Sequence, residues 1–139
     1  MKSHIFIFLF IFLLMPNAFA KGNYFNEGKK LFENKNFSKS KFKFEQDIVF
    51  NPKNELSYLY LAKIFNEKKE YDLEEHNLNT VILINPKNEE AVFLLTLLKI
   101  RQSNYSETEK LIKNFKKICK TLCEKEKELS IKLKNLQTK

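Results

Sequence analysis

Apolar residues after position 21 recur at intervals of three and four, the spacing that places side chains on one face of an α-helix. The clearest stripes are Leu56, Leu59, Tyr60 and Ile64; Leu73, Val81, Ile82 and Ile84; and Leu111, Phe115, Ile118 and Leu122. Together with the polar residues between them, they predict helices over residues 22–34, 38–50, 55–67, 72–84, 89–102 and 106–119.

The sequence NPKNE occurs twice, at residues 51–55 and again at residues 85–89. We call the distance from residue 51 to residue 85 the repeat offset. Residues outside the pentapeptide also match at this offset, which excludes a chance repetition of common residues. The pairs that share it include Tyr24/Tyr58, Glu33/Glu67, Lys35/Lys69, Ile48/Ile82, Leu61/Leu95, Tyr71/Tyr105 and Ile84/Ile118. The chain is therefore built from an internal repeat.

Each copy of NPKNE has the chemistry of a junction between two helices. The residue before a proline is disfavoured in helical geometry, so Asn51 and Asn85 are predicted to end a helix. Asn54 and Asn88 then stand at the N-cap of the next helix, where an Asn side chain accepts a free backbone amide. Each repeat is predicted to hold two short antiparallel helices.

Capping boxes mark further helix starts, because an N-cap side chain and a Glu three residues later satisfy free amides reciprocally. The matching pairs are Asp72/Glu75, Ser106/Glu109 and Thr121/Glu124. The last pair predicts a seventh helix from about Leu122 to Leu136. A strand over residues 42–50 competes with the second helix because Phe42, Lys43 and Phe44 alternate, but the equivalent residues 76–84 favour a helix.

With these helix pairs, the chain resembles the tetratricopeptide repeat (TPR) family over residues 22–118. The second repeat carries that pattern most fully, whereas the first has Glu27 where leucine is usual. The matching positions are Tyr58, Leu61, Ala62 and Phe65 in repeat two, Tyr24, Gly28 and Leu31 in repeat one, the aromatic residues Phe37 and Tyr71, and the prolines Pro52 and Pro86. Ser40, Glu74 and Thr108 replace the small alanine of the family's second helix.

The resemblance implies an all-α fold, a TPR-like α-solenoid of three helix pairs with a C-terminal capping helix. We expect repeat one over residues 21–54, repeat two over 55–88, a degenerate repeat three over 89–120, and the capping helix over 121–139. The third repeat has lost its closing proline. A terminal helix with one polar side is what a repeat stack needs to cover its last core.

Residues 1–20 have the layout of a secretory signal peptide. Lys2 precedes an unbroken apolar run over residues 5–15, then a proline, and then the small-residue pattern Ala18-Phe19-Ala20. A retained membrane anchor is the alternative, but a spanning helix needs about 20 apolar residues. We therefore expect cleavage after Ala20 and export, to the periplasm in a bacterium.

The formal net charge of +8 is concentrated in the C-terminal third. Residues 21–98 carry 12 basic and 12 acidic residues, whereas residues 99–139 carry 12 basic and five acidic ones. Such a region can attract nucleic acid, anionic lipid or an acidic partner, and export argues against nucleic acid. An A/T-rich genome is an alternative explanation for the lysine excess. Lysine has A/T-rich codons, and Arg101 is the only arginine among the basic residues.

The two cysteines, Cys119 and Cys123, are four residues apart. Export favours a disulfide between them, and that bond requires the helix to break, because Cβ atoms four residues apart in a continuous helix are too distant. A metal site is an alternative, although two thiolates supply only half of a zinc shell. A redox-active pair is another, although the C-x-x-C spacing is missing.

No pattern of residues indicates catalysis or a cofactor. His76 is the only histidine outside the signal peptide, and Gly22 and Gly28 are the only glycines, so the chain has no glycine-rich phosphate loop. The acidic residues fall at helix starts or among lysines. We expect neither an enzyme nor a bound metal or cofactor.

By the resemblance, the first helix of each pair lines a concave face that binds another molecule. We expect a protein or peptide partner, with acidic residues that suit cationic groove edges. For Phe25, Leu59 and Phe93 a core position is the alternative. The predicted groove residues are Phe25, Lys29 and Phe32 in repeat one, Leu59, Lys63 and Asn66 in repeat two, and Phe93, Leu97 and Arg101 in repeat three.

A second function class is peripheral association with anionic lipid or polymer of the cell envelope. A lysine stripe lies in and just after the sixth predicted helix, opposite Leu111, Phe115 and Ile118; it is formed by Lys110, Lys113, Lys117 and Lys120. Salt separates the two classes, because screening weakens attraction to a charged surface more than binding in an apolar groove. A spacer without any groove ligand is a third alternative.

Overall fold

The computed structural model describes residues 22–137, so the predicted signal peptide lies outside the described part of the chain. Within this part, seven helices follow one another with no strand between them. In chain order they are α1 Tyr24–Glu33, α2 Phe37–Phe50, α3 Glu55–Glu67, α4 Tyr71–Ile84, α5 Glu89–Arg101, α6 Tyr105–Ile118 and α7 Lys125–Gln137. The all-α prediction is confirmed, and the strand alternative is wrong because residues 42–50 lie in α2.

The first six helices form three hairpins, and α7 packs on the last of them. Inside each hairpin the turn contains one residue with positive φ, at Lys35 (57°), Lys69 (60°) and Ser103 (55°). The amide of the following residue donates to a carbonyl five residues earlier, at 2.9 Å in each hairpin. This left-handed ending stops a helix, and it returns at the repeat offset although the residue type changes.

The predicted capping boxes of the fourth and sixth helices are wrong. These helices begin one residue earlier, at Tyr71 and Tyr105, so Asp72 and Ser106 lie inside the first turn instead of at the N-cap. The N-cap is the residue that follows the left-handed turn. For α6 this residue is Asn104, whose side chain accepts a backbone amide of the first turn at 3.2 Å.

Gly28 allows α1 and α2 to approach closely. A Cβ atom at this position would lie 2.9 Å from the ring of Phe44, closer than side chains pack. On the same side, the Ser40 hydroxyl donates to the Gly28 carbonyl at 2.8 Å. A small residue at 28 and a small polar one at 40 therefore set the spacing of the first hairpin.

Two clusters of buried apolar side chains hold the hairpins together. The smaller cluster joins the first two hairpins, and its buried members are Phe44, Leu61, Ile64 and Phe65. The larger cluster joins the second hairpin, the third hairpin and α7; it includes Leu59, Leu78, Val81, Leu95, Leu98, Phe115 and Leu129. Because each hairpin shares a cluster with the next one, the repeats form a single stack.

The last helix starts later than predicted, at Lys125, and the capping box of Thr121 with Glu124 is wrong. A disulfide joins Cys119 to Cys123, with Cα atoms 5.2 Å apart, and the chain between α6 and α7 is non-helical. The disulfide and the predicted helix break are thus both present. Leu129 on α7 is fully buried, so α7 covers the end of the larger cluster as expected of a capping helix. No helix in residues 22–137 is long and apolar enough to cross a membrane.

Candidate functional site

The nine predicted groove residues lie on α1, α3 and α5, the first helices of the three hairpins. Leu59 is 3% exposed and belongs to the larger core cluster, so its side chain is not available to a ligand. Phe93 and Leu97 are half-buried and pack against the same cluster, while Phe25 and Phe32 pack against the smaller one. These four and the other four predicted residues keep some exposed surface, and we call this side of the molecule the first-helix face.

Tyr60 lies at the centre of the aromatic part of the first-helix face. Its ring centroid is 5.8 Å from that of Phe25, 5.1 Å from that of Phe32 and 5.0 Å from that of Phe44. Three of these rings come from the first hairpin, and Tyr60 comes from α3. Phe25 and Phe32 therefore tie two repeats together as well as contributing surface.

Lys63 extends the first-helix face from α3 to α5. Its Nζ lies 2.7 Å from Glu90 Oε1 and 4.8 Å from the centroid of the Tyr60 ring. A cation above an aromatic face and beside a carboxylate is held in one position. Lys29 is less restrained, because its only ion pair with a described residue is a 4.0 Å contact to Glu33 and its side chain is 48% exposed.

Arg101 and Asn66 both contact a buried carboxylate, that of Glu74. The guanidinium donates to the two Glu74 oxygens at 2.8 and 2.9 Å, and Asn66 Nδ2 donates to one of them at 2.8 Å. Glu74 is 1% exposed, at the place where the TPR pattern has a small alanine. Arg101 also lies 5.4 Å from the ring of Tyr71. Its charge therefore compensates Glu74 and does not form a free cationic groove edge.

Phe93 lines a crevice between α5 and the segment that leads into α7. The crevice has a volume of about 570 Å³ and combines apolar side chains with charged ones. Its lining residues are Asn88, Glu89, Glu90, Phe93, Leu94, Thr121, Leu122 and Lys125, and we call it the Phe93 crevice. Apolar surface beside a few convergent polar groups is typical of binding sites.

Glu89 fixes one wall of the Phe93 crevice. Its carboxylate accepts the backbone amides of Thr121 and Leu122, each at 2.9 Å from Oε2. Backbone amides at Lys120, Leu122 and Thr121 hold the pKa of Glu89 below its ordinary value of 4.5. The wall is thus held together by an ionised carboxylate at neutral pH. Among residues 22–137, no group of three or more His, Cys, Asp or Glu side chains is placed to hold a metal ion.

The sequence identified part of this surface only. Tyr60 adjoins the predicted Leu59, and both fit the apolar stripe of α3, so periodicity could not show which of them faces out. Leu122 and Lys125 were missed because they approach Phe93 from a distant part of the chain, Leu122 from the non-helical segment after α6 and Lys125 from the start of α7. One sequence signal for the crevice wall was available, because Glu55 and Glu89 are one repeat offset apart. Each of these glutamates contacts the segment that follows its own repeat.

Solved structures with the same arrangement of hairpins decide the fold. The TPR2B domain of yeast Sti1, solved as a pHsp70 complex, superposes with a TM-score of 0.76 and 13% identity over 83% of this chain and 96% of that one. The chain has the tetratricopeptide-repeat fold. No protein-family model matches it, and a search of curated proteins finds no relative.

Two other TPR-fold structures cover most of both chains. The Yersinia enterocolitica type III secretion chaperone SycD, in complex with a peptide of the translocator YopD, has a TM-score of 0.74 and 13% identity, over 83% of this chain and 90% of that one. The first TPR of Spaghetti (RPAP3), bound to the HSP90 peptide SRMEEVD, has a TM-score of 0.69 and 13% identity, over 83% and 88%. At this identity the likeness shows the fold alone.

Proposed function

We propose that this TPR-fold chain is an exported adaptor that binds a peptide segment of another protein along its first-helix face. The Phe93 crevice carries the proposal, because it is a concave site on that face with Phe93, Leu94 and Leu122 exposed to one volume. An apolar side chain of the peptide would occupy the crevice. The rest of the segment would run across α3 and α1, past Lys63 and Tyr60.

The three solved structures support this mode of binding. Two of them are complexes with peptides and the third is a complex with pHsp70. A peptide that binds in a helical groove gains most from a few side chains that enter pockets. The adaptor itself supplies a surface and has no catalytic role.

The charges on this face favour a peptide with acidic residues beside its apolar anchor. Lys125 stands at the edge of the Phe93 crevice, and Lys29 is the most exposed lysine of the predicted groove. Glu89 and Glu90 are already engaged, by backbone amides and by Lys63 respectively. An incoming carboxylate would therefore meet little competition from those two acids at Lys125 and Lys29, whose own ion pairs are long surface contacts, 3.5 Å to Glu128 and 4.0 Å to Glu33.

Selection from a random peptide library tests the proposal. The purified chain would select peptides, and the affinity of the best one would be measured by fluorescence polarisation. We expect Phe93→Ala to weaken binding by about tenfold or more, because truncating a buried anchor commonly costs over 1 kcal/mol. Lys125→Glu should weaken acidic peptides without touching the core.

Phe42→Ala and Lys127→Glu are the matched controls. Phe42 is 58% exposed on α2, and Lys127 is exposed on α7 outside the crevice lining. Neither substitution should change the affinity. Equal losses at Phe42 and Phe93, measured on variants that melt like the parent, would place the peptide elsewhere and end the proposal.

Export is the second part of the proposal. We infer that residues 1–20 act as a signal peptide and that the mature chain begins at Lys21, in the periplasm of a bacterial host. The support is the basic start, the short apolar run and the small-residue pattern at Ala18 and Ala20. The mass of the protein recovered from the periplasm measures this directly. A mass that retains residues 1–20 would refute cleavage.

Association with an anionic envelope surface is the alternative function, and the lysine stripe, which runs along α6 and into the segment after it, favours it. Lys113, Lys117 and Lys120 are exposed, and none of them forms an ion pair with another described residue. Vesicles with and without phosphatidylglycerol test this function. Binding that needs the anionic lipid, falls with salt and is lost in Lys113→Glu with Lys117→Glu would support it; binding to neither vesicle would exclude it.

A further inference from the structure

Asp47 stands at a repeat position where the other repeats have apolar residues. Val81 and Phe115 follow it, each one repeat offset further along the chain, and both are fully buried in the larger cluster. Asp47 is 2% exposed, so a carboxylate replaces a hydrophobic side chain at an equally buried place. Burying a charge costs much free energy unless an opposite charge or several hydrogen bonds compensate it.

The hydrogen bonds of Asp47 come from neutral groups. Asn51 Nδ2 donates to Oδ1 at 2.9 Å, and Asn54 Nδ2 and the Ser57 hydroxyl donate to Oδ2 at 2.6 Å each. The first turn of α3 adds the partial positive charge of a helix N-terminus. No Lys, Arg or His between residues 22 and 137 forms an ion pair with Asp47. Its negative charge thus lacks a full counter-ion in the described part of the chain.

The carboxylate lines an open crevice at the N-terminal end of the stack. This Asp47 crevice has a volume of about 320 Å³ and is lined by Gly22, Asn23, Phe25, Asp47, Asn51 and Asn54. Gly22 is the first described residue. Residue 21 is therefore bonded directly to a residue that lines the same crevice as Asp47, whose carboxylate has hydrogen bonds but no ion pair with a described residue.

The repeat register gives residue 21 the sequence position of two glutamates that contact turns. Lys21, Glu55 and Glu89 occupy the same repeat position, and each of the two glutamates contacts the turn at the end of its own repeat. Glu55 accepts from Asn85 and Asn88 at 2.7 and 3.1 Å, and Glu89 accepts from backbone amides after α6. In repeat one the side-chain amides of Asn51 and Asn54 donate to Asp47 instead. The position that holds a glutamate in the other two repeats holds Lys21 here, so repeat one has its acidic residue at position 47 and a basic residue at position 21.

We propose that the Asp47 crevice is the binding site for the N-terminus of the processed chain. Cleavage after Ala20, as proposed above, converts the amide nitrogen of Lys21 into a primary ammonium group next to Gly22. Paired with Asp47, that ammonium supplies the missing counter-ion and closes the open end of the first hairpin. The precursor has a neutral amide at the same place, so processing would make the folded chain more stable.

Moving the ammonium by a few residues tests this pairing. One full-length version carries a four-residue protease recognition sequence in place of residues 17–20, so cleavage releases a chain that begins at Lys21. A second version has the recognition sequence in place of residues 13–16, and its product begins at Asn17. The two products carry the same number of terminal charges, and each is made with Asp47 and with Asp47→Asn.

We expect the product that begins at Lys21 to melt about 3–6 °C higher than the product that begins at Asn17, as a partly buried ion pair would give in a domain of this size. With Asp47→Asn the difference should vanish. Equal melting temperatures with Asp47 present, or the same difference without Asp47, would overturn the proposal.

A second measurement needs no substitution at Asp47. The pKa of the terminal amine, followed by NMR, should lie above its ordinary range in the product that begins at Lys21, because a neighbouring carboxylate favours the charged form. In the product that begins at Asn17 it should be ordinary. An ordinary pKa in both products would also overturn the proposal.

Lys21→Gln separates the terminal ammonium from the lysine side chain. This variant keeps the α-ammonium and removes a side-chain ammonium that both products carry, so the difference in melting temperature should remain; loss of the difference would refute the proposal. Because an added protease releases both chains, this test of the binding site does not depend on whether or where a cell cleaves the precursor. A failure of this proposal is therefore distinguishable from a failure of the proposed export.

Discussion

The two NPKNE stretches have the same sequence and the same turn, yet their asparagines do different things. Asn88 Oδ1 accepts the Ala91 amide at 2.9 Å and caps α5. Asn54 stands at the same place before α3, but its side chain makes no cap; its Nδ2 donates to Asp47 at 2.6 Å. Local sequence thus sets the turn, and the nearest carboxylate determines what the N-cap side chain contacts.

The carboxylates that contact the two turns also differ in origin and burial. Asp47 comes from the helix that enters the first turn and is almost completely buried. Glu55 comes from the first helix of the same repeat as its turn, is half-buried, and accepts both Asn85 and Asn88. We therefore expect the stability of the first turn to depend on one buried charge, and that of the second turn to depend on a half-buried contact that water can partly replace.

The largest effect should follow Asp47→Ala. The substitution leaves a cavity and removes the acceptor of three donors, which we expect to lower the free energy of unfolding by about 2–4 kcal/mol. Chemical denaturation measures the change. Asp72→Ala, at an exposed position of α4, should stay within about 0.5 kcal/mol. An equally small loss at Asp47 would contradict the importance of the buried charge.

Glu55→Ala should have a smaller effect at the second turn. Asn85 and Asn88 lose a shared acceptor, but both side chains can reach water, so we expect a loss of about 1–2 kcal/mol by the same measurement. Lys53→Ala, on the exposed part of the first turn, is the control and should change little. A loss at Glu55 as large as that at Asp47 would show that burial does not distinguish the two turns.

Acid should weaken the third junction, where Glu89 holds the segment between α6 and α7. The folded-state pKa of Glu89 is lowered below 4.5, so its contribution is complete above that pH and is lost as the pH falls through the folded-state pKa. We expect Glu89→Gln to flatten the decline of stability below about pH 4.5. Parallel acid-unfolding curves for the variant and the parent would refute this role.

The smallest effect concerns the turns inside the hairpins. Lys69 has a φ of 60°, a conformation that glycine adopts without steric cost, so Lys69→Gly should stabilise the fold by about 0.5 kcal/mol. Its neighbour Lys68 has a φ of −86°, and Lys68→Gly should be destabilising by about 0.5–1 kcal/mol. Thermal unfolding of both variants checks the sign, and a loss in both would contradict the left-handed assignment.

The sequence was sufficient for the helices and their order, because the repeat offset lets each helix be compared with its counterpart in another repeat. It was not sufficient for the helix starts at Tyr71 and Tyr105. Lys35, Lys69 and Ser103 share a backbone conformation, but their residue types do not reveal it, whereas Asp72 and Ser106 have the composition of caps. The turn geometry prevailed over that local preference.

The candidate site was harder to predict than the fold. Periodicity placed Leu59 and Tyr60 on the same helix, and only packing shows that Leu59 enters the larger cluster while Tyr60 joins the rings of the first hairpin. Arg101 was expected at a cationic edge, but the buried Glu74 from another helix engages it. Such partners are distant in sequence, and no spacing rule within one helix reveals them.

The position of a bound peptide tests the central claim most directly. Backbone NMR shifts of the labelled chain would be recorded during titration with the tightest peptide from the library selection. We expect the largest shifts on α1, α3 and α5 and around the Phe93 crevice, including Leu122 and Lys125. Shifts confined to α2, α4 and α6, with none at Phe93 or Tyr60, would contradict the assignment of the first-helix face as the binding surface.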